Sequence, residues 1–269
     1  MTINDNQAIY FVDIDNHRVI QWKFSDETYR VVAGNDGCGR RNMELSYPTD
    51  VLLDKRNNCI IIADRENHRI MRWSLQDRTN TGQVLIDHIN CQRLATDKHG
   101  TIYISDPENN QINRWNPTER ILTVVAGGNG RGNNLNQLNT PSFIFVDENE
   151  SLYISDMNNH RVMKWLKNAT EGVIVAGGNQ NGNRIDQLSC PQGLITDPFG
   201  RVYIADNNHR IVRWKPGDTK GEIIVGGNRN GNGSNELHYP SGLCFDSKGN
   251  LYVADRNNHR IQKFLVDSD

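Results

Sequence analysis

The sequence predicts an all-β fold, a β-propeller of six four-stranded antiparallel blades. Three observations carry this. A segment recurs six times: IYFVDIDNHRVIQW (9–22), IIIADRENHRIMRW (60–73), IYISDPENNQINRW (102–115), LYISDMNNHRVMKW (152–165), VYIADNNHRIVRW (202–214) and LYVADRNNHRIQKF (251–264). The aromatic that closes each segment (Trp22, Trp73, Trp115, Trp165, Trp214, Phe264) recurs at spacings of 51, 42, 50, 49 and 50 residues. A period near fifty with short strands inside it belongs to radial or stacked β architectures. Finally, 35 Asn and 23 Gly among 269 residues, with only 8 Pro, supply turns rather than long helices.

Four strands are expected in each repeat. The innermost is short, apolar and ends in Asp: DVLLD (50–54), RLATD (93–97), FIFVD (143–147), GLITD (193–197) and GLCFD (242–246). The second is of the IYISD type and the third of the RVMKW type, with an Asn-rich turn between them. The fourth is RVVAG (30–34), VLID (84–87), LTVVAGG (122–128), VIVAGG (173–178) or EIIVGG (222–227). The inner strands are near-continuous apolar runs, as expected of sheets packed on both faces. The terminal blades are expected to be incomplete. Only Met1-Thr2-Ile3 precedes the first turn, and a few residues follow Phe264. The count is five inner, six second, six third and five outer strands, 22 rather than 24. Closure is then expected by face packing, or the chain is cut from a longer protein.

Composition excludes several classes. Thirty Lys and Arg against 32 Asp and Glu give a net charge of −2, which is not that of a polybasic nucleic-acid binder. Mean hydropathy is −0.68 and no apolar run nears the roughly 18 residues of a membrane span. No signal peptide is visible, and five Cys without a CxxC argue against a disulfide scaffold or zinc ribbon. The expectation is a soluble chain with a cytoplasmic location favoured, no membrane contact and no cofactor.

The D-x-x-N-H-R-I/V element at this period resembles the NHL-repeat propellers. That family includes the C-terminal domains of tripartite-motif proteins and a peptide-amidating lyase. The resemblance covers essentially the whole chain and implies one propeller domain over 1–269. Similarity to tripartite-motif proteins implies the recognition domain of a longer ubiquitin-ligase chain, although no RING, B-box or coiled-coil sequence is present.

One Asp, His and Arg per repeat reads as a structural hairpin device. Asp13, Asp64, Asp156, Asp206 and Asp255 can accept hydrogen bonds from turn amides. Arg18, Arg69, Arg161, Arg210 and Arg260 can pair with an Asp across the hairpin or from the next blade. His17, His68, His160, His209 and His259 are distributed one to a blade and do not converge on an ion. The third repeat departs from the pattern with Asn109-Asn110-Gln111, and the connection from Val84 to Leu94 lacks a Gly-Asn loop.

The candidate binding residues lie in four Gly-Asn loops, 33–48, 126–141, 176–191 and 225–240. In a four-stranded meander these share a side with the Asn-His-Arg hairpins. They carry Arg40, Arg41, Arg131, Arg184 and Arg229. Gly-rich amides and guanidinium groups together suit an anion. The loops sum to only +1 once Asp36, Glu44, Asp186 and Glu236 are counted, and Tyr47 and Tyr239 alone offer stacking. A single-stranded RNA groove combines a basic track with several aromatics. A protein or peptide partner is therefore expected ahead of RNA. Two sequons, at Asn168 and Asn232, matter only in a secreted protein.

Catalysis is not expected. The amidating lyase in the family holds zinc with His at the starts of inner strands. The corresponding positions here are Thr49-Asp50, Ser142, Gln192-Gly193 and Ser241-Gly242. Propeller lactonases and related hydrolases hold calcium in the channel with Asn, Asp and Glu, whereas Asp50 is the one carboxylate in such a position here. Cys38 and Cys190 sit in loops with no adjacent activating His expected.

Overall fold

The structure, a computed structural model of the chain, describes residues 1–23, 28–34, 37–76, 81–227 and 229–266. It is an all-β, six-bladed β-propeller. Two compact units divide the chain, Met1–Leu94 and Ala95–Asp269.

The first unit holds two blades. Blade one is β1 (Thr2–Ile3), β2 (Ala8–Asp13), β3 (Arg18–Lys23) and β4 (Tyr29–Ala33); blade two is β5 (Pro48–Asp54), β6 (Cys59–Asp64), β7 (Arg69–Ser74) and β8 (Gly82–Asp87). Their facing surfaces share one core that includes Tyr10, Val32, Ile60, Ile62, Met71 and Trp73.

In the second unit, blade three is β9 (Arg93–Thr96, which begins at the end of the first unit), β10 (Ile102–Asp106), β11 (Gln111–Asn116) and β12 (Ile121–Gly127). Blade four is β13 (Pro141–Val146), β14 (Leu152–Asp156), β15 (Arg161–Trp165) and β16 (Val173–Gly177). Blade five is β17 (Leu194–Thr196), β18 (Val202–Asp206), β19 (Arg210–Trp214) and β20 (Glu222–Gly226); blade six is β21 (Pro240–Phe245), β22 (Leu251–Asp255) and β23 (Arg260–Phe264).

The expected strand count changes at one end. Thr2 and Ile3 pair with Tyr10 and Ile9, so the first blade has four strands and 23 are present among the described residues, not 22. The last blade has three described strands, as its short tail implies.

Sequence dictates the blade interior. Trp73, Trp165 and Trp214 are almost fully buried at the ends of their third strands. Each indole lies flat on a glycine that opens the fourth strand. A Cβ on Gly82, Gly172 or Gly221 would stand 2.4–2.5 Å from the ring. A register shift recurs where strands three and four pair, at Val19/Ile20, Ile70/Met71, Ile112/Asn113, Val162/Met163 and Ile211/Val212. Such bulges sharpen the local twist, here in each outer strand.

Candidate functional site

Each repeat hairpin turns through a residue in the left-handed region. His17, His68, His160, His209 and His259 have φ between 50° and 61°, as does Asn110 at 54°. A short polar side chain that bonds locally tolerates this conformation.

The Asp and Arg meet within the hairpin, not across blades. Arg69, Arg161, Arg210 and Arg260 place Nε 2.7, 2.7, 2.7 and 2.8 Å from Oδ2 of Asp64, Asp156, Asp206 and Asp255; Arg18 lies 2.9 Å from Asp13. The Arg210 and Asp206 side chains are 2% and 0% exposed. Burial is the largest influence on the Asp156 and Asp206 carboxyls and pushes both up, against the pull of their arginine, asparagine and amide donors.

These arginines also grip the loop that enters their own blade. Arg161 donates to the carbonyls of Asn133, Asn134 and Gln137. Arg69 donates to those of Arg40, Arg41 and Glu44; Arg210 to Asn183, Arg184 and Gln187; Arg260 to Asn232, Gly233 and Glu236. The hairpin asparagines add Asn67 to Gly39, Asn159 to Gly132, Asn208 to Gly182 and Asn258 to Gly231. The second Asp oxygen accepts the amide of Ser46, Asn139, Ser189 or His238 near the loop's end. Leu45, Leu138, Leu188 and Leu237, all 0% exposed, anchor the loops in the core. Three loops also reach the far end of the blade, where Gly82, Gly172 and Gly221 donate to the carbonyls of Asn42, Leu135 and Ile185. Each of these loops is therefore a strap along its blade, and not a free-standing finger.

The histidines hold the loop that leaves the blade. The amides of Tyr47, Cys190 and Tyr239 donate to Nδ1 of His17, His160 and His209 at 3.1–3.2 Å. Asn110 does the same for Thr140 through its Oδ1 at 2.9 Å. An imidazole nitrogen accepts only when it carries no proton. Burial, then the neighbouring His238, holds the His209 imidazole below its ordinary pKa.

The predicted binding arginines are mostly paired. Arg40 meets Asp87 at 3.0 Å, Arg41 meets Glu44 at 2.6 Å, Arg184 meets Asp186 at 2.8 Å and Arg229 meets Glu236 at 3.1 Å. Arg41 holds the Glu44 carboxyl, and Arg184 the Asp186 carboxyl, below the usual carboxylate range. The Gly233 amide, then Arg229, does so for Glu236. Arg131 is exposed and has no side-chain partner among the described residues. Asp36 lies outside them. Tyr47 and Tyr239 are 45% and 42% exposed and stand edge-on to His17 and His209 at 4.5 and 4.7 Å.

The inner-strand positions are taken up by the main chain. Asp50 is buried and accepts the amides of Val51 and Leu94 and the N-terminal ammonium. Gly193 donates to the Ser241 carbonyl at 2.7 Å, and Ser142 Oγ to that of Pro191. Among the described residues no three His, Cys, Asp or Glu side chains converge as a metal-binding group, and no helix is long and apolar enough to cross a membrane. One expectation is corrected here. Cys190 does have a neighbouring histidine, with Sγ 3.8 Å from His160 Nδ1. The two are thirty residues apart in sequence and meet only through the strap. Burial pushes the Cys190 thiol up, the wrong direction for a nucleophile.

Sequence reasoning missed the carbonyl grip. Its signal is an E/Q-L-x-x-P ending shared by Glu44–Pro48, Gln137–Pro141, Gln187–Pro191 and Glu236–Pro240. A second signal is that Gln111 replaces the arginine in the blade entered by the one short connection.

No curated protein sequence matches the chain. Solved propellers superpose on it at low identity. An auxiliary nutrient binding protein from Bacteroides thetaiotaomicron does so with TM-score 0.75 and 18% identity over 97% of this chain and 66% of that one, so the chain spans just under two thirds of it. The nidogen/laminin complex gives TM-score 0.70 and 18% identity over 92% and 86%. A gluconolactonase from Xanthomonas campestris gives 0.66 and 15% over 92% and 79%. The NHL repeat family matches residues 237–264, the last blade and the end of its entering loop. The chain is thus a six-bladed β-propeller whose last blade matches the NHL repeat, and the same Asp-Asn-Arg hairpin grips the loops before blades two, four and five.

Proposed function

We propose that the chain is a non-catalytic binding module for a protein or peptide partner, received where the hairpins and straps meet. The carrying observation is the pairing of Arg40, Arg41, Arg184 and Arg229 with Asp87, Glu44, Asp186 and Glu236. Guanidinium groups already matched by carboxylates offer little to a phosphate backbone, whose neutralisation drives nucleic-acid binding. What remains exposed is rigid, nearly neutral and bears Tyr47 and Tyr239. Rigid tyrosines are frequent anchors of protein interfaces. The nutrient-binding and nidogen/laminin propellers agree with binding, and the gluconolactonase shows that the same fold also carries chemistry.

Selection from a phage-displayed peptide library tests this. Enriched peptides are expected to lose at least tenfold in affinity for Tyr47→Ala or Tyr239→Ala protein. Enrichment of nothing, or peptides indifferent to both variants, would refute it.

A further inference from the structure

One third-strand position is polar in every blade; it stands opposite a second-strand tyrosine in five blades and opposite Ile61 in blade two. Gln21 donates to Tyr10, Arg72 to Gln83, and Arg213 to Glu222 at 2.6 Å. Lys164 lies 3.6 Å from Asp147, and Lys263 3.9 Å from Asp246. Arg114 of blade three occupies the same place, paired in register with Tyr103 and Thr123. Its cross-strand neighbour is thus a threonine where blades two and five have Gln83 and Glu222. Among the described residues Arg114 has no hydrogen bond or ion pair, although it is half-buried. It acts electrostatically on Tyr103, which also feels Asp97 and Glu150, but it makes no direct pair with either carboxylate. The hydroxyl of Thr123 is likewise buried without a partner.

Both residues line a cleft of about 310 Å³ between blades three and four, walled by Val124, Val125, Leu152, Trp165, Leu166 and Ala169. Its other charges balance each other. Glu150 is 2.6 Å from Lys167 and 3.5 Å from His99. Among the lining side chains the surplus is therefore one positive charge, at Arg114, with Asp97 behind Tyr103 rather than in the cleft. Of the apolar lining, Val124 and Leu166 are 51% and 60% exposed. No described strand pairs with the free edge of β12, the strand that carries Val124.

We propose that this cleft binds an extended peptide, with an acidic side chain on Arg114 and aliphatic neighbours on Val124 and Leu166. The unmatched guanidinium demands a carboxylate. The exposed aliphatic rim and open strand edge extend beyond what a small organic acid would cover, and suit a peptide strand. Neither Tyr47 nor Tyr239 lines the cleft, so variants there leave its signal unchanged and the two proposals fail separately.

The test is an array of octapeptides with one Asp or Glu between aliphatic residues, beside the same array with Asn or Gln, probed with labelled protein. Acidic peptides are expected to bind at least tenfold better than their amide twins, and Arg114→Gln is expected to abolish the difference. Gln21 holds the same place in blade one, so this variant is compatible with the fold. Val124→Glu, which brings a carboxylate into the cleft from an exposed site, is expected to block the same peptides. Three results would overturn the proposal: no acidic preference, a preference that survives both variants, or displacement of the peptides by isovalerate at comparable concentration.

Discussion

Arg210 is an ion-pair partner and a three-carbonyl clamp at once, and it is almost fully buried. Removing it strands the Asp206 carboxylate, which burial already disfavours. Arg210→Ala should therefore cost about 3–5 kcal/mol in urea unfolding, the usual loss when one member of a buried pair is deleted. Arg260→Ala, at a pair whose arginine side chain is 29% exposed, should cost clearly less; equal losses would contradict this assignment. The histidines make a separate prediction. The His209 imidazole titrates below its ordinary value of about 6.5, so its contribution is complete above that pH and lost as pH falls through the lowered value. Protonated, Nδ1 no longer accepts the Tyr239 amide. The Tyr239 amide resonance should shift with acid below pH 6.5. In His209→Asn it should not, because asparagine makes the same bond at Asn110.

At the scale of the element, the unit is a hairpin with its strap. The buried leucine near each strap's end is the hydrophobic contribution. Leu188→Ala should cost about 2–5 kcal/mol and open the 176–191 loop to limited proteolysis, while the unaltered loop resists cleavage. The hairpins were legible in the sequence, because strand period, turn residues and a recurring Asp and Arg all repeat there. The straps were not. They are held by main-chain carbonyls, which every residue possesses, so only the shared E/Q-L-x-x-P ending marks them in the sequence. The near-neutral sum of the loops was legible, whereas the pairing of individual arginines with carboxylates and the anchoring of the loops along the blades were not. The first strand was missed for a related reason. Two residues carry too little pattern, yet Ile9 and Tyr10 give them an edge to join.

At the scale of the whole molecule, fold and charge point the same way. Thirty basic and 32 acidic residues nearly cancel, and four of the five loop arginines, Arg40, Arg41, Arg184 and Arg229, are matched by a carboxylate side chain. Propellers serve binding and catalysis alike, so the fold alone does not choose between partners. The proposal that the partner is a protein rests on the paired loop arginines. The most direct measurement is fluorescence polarisation of a random single-stranded RNA pool at low and near-physiological salt. No saturable binding at either salt is the predicted result. Tight binding at low salt that weakens by orders of magnitude near physiological salt, and that Arg131→Ala or Arg184→Ala reduces, would contradict it.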